Sequence, residues 1–98
     1  MVIVSFRDGA TEDVFNGRKS SRARRACPLN LWKTAMRKLD LLDSARTLDE
    51  LRRPPGNRLE ALRGDRAGQH SIRINDQYRI CFVWAGRGPR DVEIVDYH

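Results

Sequence analysis

The final residues Asp96-Tyr97-His98 bring a carboxylate, a phenol and an imidazole together, and Arg73 and Arg79 stand in a segment that reads as a β-hairpin. Imidazole titrates near neutrality and serves as base or acid. Preorganised guanidinium groups stabilise charge that develops in a transition state. Together these groups suit metal-free cleavage of RNA. A base takes the proton of the 2′-hydroxyl, cations hold the phosphorane-like transition state, and an acid protonates the departing 5′-oxygen. In that scheme His98 is a candidate base or acid, Asp96 is a candidate to orient an imidazole, and Tyr97 to stack on a base or hydrogen-bond a phosphate; which of the three moves the proton stays open. Taken alone, Asp-Tyr-His is a weak signal, and a solvated terminus is its simpler reading. A tail that continues a sheet strand differs, because the ladder holds it beside its neighbours.

The side-chain alternation of a strand decides where the arginines point. A three-residue turn at Asn75-Asp76-Gln77 pairs Ile74 with Tyr78, Arg73 with Arg79 and Ile72 with Ile80. Ile72, Ile74, Tyr78, Ile80 and Phe82 then form one apolar face, and Arg73 and Arg79 lie side by side on the other. Like charges directly opposite on a sheet repel. A bound phosphate would remove that repulsion, and so would a carboxylate such as Glu60 or Glu93. Arg63 and Arg66, in the basic turn around Gly64–Gly68, stand ready as supporting cations. His70 shares the parity of the apolar face; it reads first as a satisfied strand-end histidine and second as a candidate RNA contact.

Other elements must position these groups. Val2–Phe6 is β-rich and predicts an opening strand; Thr11-Glu12-Asp13 predicts the cap and acidic first turn of a short helix that ends near Gly17. Arg18–Arg25 is a basic run in which Ser20-Ser21 offers a further cap. Between Pro28 and Ala45, Trp32, Ala35, Met36, Leu39 and Leu42 recur at helical spacing, which predicts an amphipathic helix with these residues in the core. Lys33, Arg37 and Lys38 are placed toward solvent or a partner. Thr47-Leu48-Asp49-Glu50 is a capping-box pattern, stopped by Pro54-Pro55-Gly56. Beyond it the period changes to two, with strands expected at Arg58–Leu62, His70–Asn75, Tyr78–Trp84 and Asp91–Tyr97. Helices followed by an antiparallel meander define an α+β fold.

Ninety-eight residues provide one core and hence a single domain over 1–98. Nineteen Lys and Arg against thirteen Asp and Glu give a net charge of +6, and arginine dominates over Lys19, Lys33 and Lys38. Arginine is suited to forked contact with phosphate, so a polyanion, nucleic acid first, is the expected partner; a merely soluble basic surface is the alternative. Cys27 and Cys81 stand far apart, with neither a disulfide framework nor zinc-ligand spacing, and no metal or cofactor is expected. The apolar opening is too short for a signal segment, and no membrane span is evident, so a cytoplasmic protein is expected.

The run Pro54-Pro-Gly-Asn-Arg-Leu-Glu-Ala-Leu-Arg-Gly-Asp-Arg-Ala-Gly-Gln-His-Ser-Ile-Arg-Ile-Asn-Asp-Gln-Tyr-Arg-Ile-Cys-Phe82, followed by Asp91-Val-Glu-Ile-Val-Asp-Tyr-His98, resembles the HigB-type "killer protein" branch of the RelE/ParE toxin superfamily. Ser5-Phe6-Arg7-Asp8 and Leu31-Trp32 extend the resemblance over nearly the whole chain. It implies a RelE-like fold, with N-terminal helices packed on one face of a mostly antiparallel sheet. It implies an mRNA interferase that cuts messages in the ribosomal A site. It also implies a HigA-type helix-turn-helix antitoxin that reaches operator DNA as a toxin–antitoxin complex. By the same resemblance Arg73 and Arg79 hold phosphate with support from Arg63 and Arg66, and Asp96, Tyr97 and His98 form the catalytic tail. The superfamily also contains ParE-like gyrase inhibitors on the same fold. A gyrase inhibitor and a non-catalytic RNA-binding module therefore remain the competing classes.

Overall fold

The computed structural model describes residues 2–97, so His98 lies outside the described residues. Three helices precede the sheet: α1 (Gly9–Phe15), α2 (Ser21–Ala26) and α3 (Trp32–Ser44). Strands β1 (Glu60–Ala61), β2 (His70–Arg73), β3 (Tyr78–Ala85) and β4 (Gly88–Asp96) form one antiparallel sheet in the order β1-β2-β3-β4. The α+β expectation holds, although the first helix is capped by Asp8 rather than Thr11. The Asp8 carboxylate accepts from the Thr11 amide at 2.8 Å, which satisfies an amide that the helix itself leaves free. Thr11 is buried, and its Oγ1 accepts from the Ile94 amide at 3.0 Å, tying α1 to β4.

Ser20 caps α2, accepting from Ala23 N at 3.2 Å. The same hydroxyl donates to Asp13 Oδ2 at 2.7 Å, and Arg22 Nε donates to that oxygen at 2.7 Å. Asp13 thus fastens α1 to α2. The Arg22 hydrogen bond first, and the Ser20 hydroxyl second, hold its carboxyl down at about 2. In α3 the expected stripe is buried at Trp32, Ala35, Leu39 and Leu42, while Met36 packs at its margin. The Trp32 indole reaches the Cys27 carbonyl at 2.8 Å, so its one donor is satisfied. Residues Leu29–Leu31 form a separate 3₁₀ turn ahead of α3 instead of its first turn. Lys38 departs from the expected solvent-facing position: it is buried and hydrogen-bonded to Asn57.

Thr47 and Glu50 form the expected capping box, at the head of a 3₁₀ segment, Leu48–Arg52. Pro55–Asn57 makes another 3₁₀ turn, and Arg58 leaves it in the left-handed region at φ 43°. That turn shortens the strand expected at Arg58–Leu62 to Glu60–Ala61. The expected opening strand is also reduced. Val2–Phe6 runs beside β4 with a single parallel bridge, Phe6 to Val92. Backbone bonds from Arg7 N to Val92 O (2.9 Å) and from Val92 N to Ser5 O (3.1 Å) cover part of the β4 edge, which otherwise exposes unpaired peptide groups. Opposite Phe82, β4 carries two residues, Asp91 and Val92, because Cys81 pairs with Glu93 but Val83 pairs with Arg90. Asp91 adopts φ 52°, and its amide donates to Ser5 Oγ at 2.9 Å. This bulge interrupts regular pairing and leaves the opening segment only one bridge.

The core lies between the helices and one sheet face, built from Val14, Leu39, Leu42, Leu51, Ile72, Ile80, Phe82, Val92 and Ile94. No helix among the described residues is long and apolar enough to cross a membrane.

Candidate functional site: an arginine bracketed on the outer sheet face

The hairpin register agrees with the sequence expectation: Arg73 pairs with Arg79 and Ile72 with Ile80. Asn75 builds the turn, its Oδ1 accepting from the amides of Gln77 (3.0 Å) and Tyr78 (2.7 Å). Alternation therefore puts Ser71, Arg73, Arg79, Cys81, Glu93 and Val95 on the outer face, away from the helices.

Although their backbones are opposed, the two guanidinium groups have different partners. Arg79 is 8% exposed. Its Nε donates to Ser71 Oγ at 2.7 Å, and its Nη2 donates to Arg58 O at 2.6 Å and to Ser71 O at 3.4 Å. Arg73 is half-buried and turns to Asp76 in the hairpin loop. Arg73 thus finds its counter-charge in Asp76, and among the described residues neither Glu60 nor Glu93 forms an ion pair with Arg73 or Arg79. An arginine carries five donors. Among the described residues no group accepts from Arg79 Nη1.

Tyr97 completes this environment. The Arg79 guanidinium carbon lies 6.0 Å from the Tyr97 ring centroid, within the range of a cation–π contact. The Tyr97 amide donates to Gln77 O at 2.6 Å, which extends the β3–β4 ladder past Asp96 and anchors the tail. Asp96 pairs with Tyr78 on the opposite parity from Tyr97. Its carboxylate is exposed and accepts from Gln77 Nε2 at 3.3 and 3.2 Å.

The supporting cations behave differently from one another. Arg66 is tied to Glu93 Oε1 at 3.2 Å and to Gln69 Oε1 at 3.1 Å, and Arg7 reaches the same Glu93 oxygen at 3.7 Å. Arg63 is exposed at the head of the Gly64–Arg66 turn. His70 lies on the core face, as its parity requires, with its ring stacked on Phe82 at 6.2 Å and its Nδ1 buried without a hydrogen-bond partner among the described residues. It is not one of the outer-face groups. Cys81 is buried beneath that face, and burial pushes its thiol up. Among the described residues no cluster of three metal-ligating side chains occurs.

Two partners were not foreseen from sequence, the Ser71 hydroxyl and the Arg58 carbonyl; Glu93, a carboxylate expected near Arg73 and Arg79, instead pairs with Arg66 and Arg7. Parity offered a signal for Ser71, two residues before Arg73 on the same strand face. The Arg58 contact depends on a left-handed residue that no local pattern marks.

A family model described as RelE-like toxin of type II toxin-antitoxin system HigB matches residues 4–98. Toxin HigB-1 of Vibrio cholerae is 38% identical over 81 residues, covering 83% of this chain and 82% of the relative. An uncharacterized protein of Haemophilus influenzae is 42% identical over 57 residues, which is 58% of this chain and 56% of that one. The solved YoeB/ParE toxin from Agrobacterium tumefaciens superposes with a TM-score of 0.51 at 21% identity, covering 100% of this chain and 99% of that one, and supports the fold alone. The family match and the Vibrio relative, joined to the helix-on-sheet fold, place this chain among the HigB toxins of type II toxin–antitoxin systems, within the RelE/ParE superfamily.

Proposed function

We propose that the protein is a ribosome-dependent, metal-independent endoribonuclease that cuts messenger RNA and is neutralised by a HigA-type antitoxin. The observation that carries this reading is Arg79, a buried guanidinium beside the Tyr97 ring whose Nη1 has no acceptor among the described residues. Nη1 holds a nonbridging oxygen of the scissile phosphate and stabilises the charge that grows there. Tyr97 stacks on a neighbouring base or hydrogen-bonds the phosphate. His98 follows Tyr97 directly and supplies the general acid or base. Asp96, whose exposed carboxylate keeps lone pairs beyond those facing Gln77, orients that imidazole. Arg73 joins the phosphate when it leaves Asp76, an exposed partner that competes weakly. Arg63 and Arg66 add electrostatic attraction for the RNA backbone. His70 supports the sheet behind the site.

The test is cleavage of a translated message, mapped by primer extension, with and without ribosomes. Wild type should cut on ribosomes, and His98→Gln should lose cleavage. Equal cleavage by the variant would remove His98 from the mechanism. Inhibition of DNA supercoiling by gyrase, with messages left intact, would replace the nuclease reading altogether.

A further inference from the structure

A second constellation lies between α3 and the Pro55–Asn57 turn. There Arg37, Lys38, Asp40, Leu41, Ser44, Pro54 and Asn57 line an open groove of about 490 Å³. Lys38 is 9% exposed, and its ammonium is hydrogen-bonded to Asn57 Oδ1. An ammonium has three donors and seeks a counter-charge when removed from water. Among the described residues no carboxylate lies within 4.0 Å of it. Arg37 and Arg73 act on it with charge of the same sign, which deepens the deficit. Asn57 is itself committed, since its Nδ2 donates to Leu51 O at 3.1 Å and so fixes Oδ1 toward Lys38.

We propose that this groove is a carboxylate-binding site that receives an acidic side chain of the antitoxin, with the Lys38 ammonium as its counter-ion. The inference rests on membership of a toxin–antitoxin family, which supplies a protein partner, and not on the nuclease reading. The lining favours protein over nucleic acid. Leu41 and Pro54 offer apolar walls to an aliphatic neighbour of the acidic residue, a contact that a sugar–phosphate chain does not supply. A single acidic side chain restores the missing charge and fills the free ammonium donors.

Two capped tripeptides, acetyl-Leu-Glu-Leu-amide and acetyl-Leu-Gln-Leu-amide, test the site by NMR titration of the Lys38 side-chain resonances in the wild-type protein. The glutamate peptide should bind about tenfold more tightly, the size of one charge-assisted hydrogen bond. Lys38→Met, which keeps the volume and removes the charge, should erase that preference. In the complex with the antitoxin, the same variant should speed dissociation about tenfold. Equal binding of the two peptides, a preference that survives Lys38→Met, or unchanged dissociation of the complex each overturns the proposal. Hexauridylate should leave the Lys38 resonances unmoved; a shift would make this a nucleic-acid contact instead. Cleavage activity is a separate readout, so its absence would contradict the nuclease reading and leave this one standing.

Discussion

The setting of Arg79 is fixed by its neighbours, and the proposed nuclease function turns on that setting. A lysine in its place would keep one charge but lose the fork that binds Ser71 Oγ and the Arg58 carbonyl and leaves Nη1 without an acceptor among the described residues. Arg79→Lys should therefore lower the cleavage rate by roughly 100-fold, as measured for a lost preorganised transition-state donor. Under the proposed function Ser71, which accepts from Arg79 Nε, is a positioning residue that acts through Arg79. Ser71→Ala should lower kcat by about tenfold with KM nearly unchanged, because it disturbs aim and not RNA binding. A proportional rise in KM instead would assign Ser71 to ground-state contact. The outward direction of Arg79 was legible from strand parity. Its separation from Arg73 was not, because parity fixes the face of a side chain and says nothing about the partners its flexible end will find.

Among the elements, the short α1 and α2 depend on one shared carboxylate more than on their own length. Asp13 is held down at about 2, from an ordinary 3.8, by Arg22 and Ser20. A depressed carboxyl contributes stability that is fully present above its unfolded value and is lost as pH falls through its folded value. The stability gap between wild type and Asp13→Asn should therefore be constant above pH 4 and shrink toward pH 2 in denaturant titrations, the window set by those values. A gap independent of pH would show that the helices are joined by packing alone. The capping box makes a second case: Thr47→Ala should cost about 1 kcal/mol, readable as a lower urea midpoint. That box, the α3 stripe and the hairpin were legible because their patterns are local. The opening strand and the Arg58–Leu62 strand were not. The bulge at Asp91 and the left-handed Arg58 decide those segments, and both conformations belong to residues without a glycine-like signature.

At the scale of the whole molecule, one small core separates the helical layer from the arginine-bearing face. Leu39 is fully buried, so Leu39→Ala should destabilise the fold by about 3 kcal/mol in equilibrium unfolding. A loss well under about 1 kcal/mol would mean that α3 contributes little to the core. The sequence carried the layer order and the excess of +6 charges, which indicated a polyanionic partner. It did not show that Arg66 and Arg7 converge on Glu93 or that Lys38 is buried, since both follow from long-range packing. The central claim is that the Arg79 face is the RNA-cutting site. Its most direct test is the rate of ribosome-dependent message cleavage by folded Arg79→Lys protein beside wild type. A fall of roughly 100-fold is predicted from the lost transition-state donor, and cleavage at the wild-type rate would contradict the account.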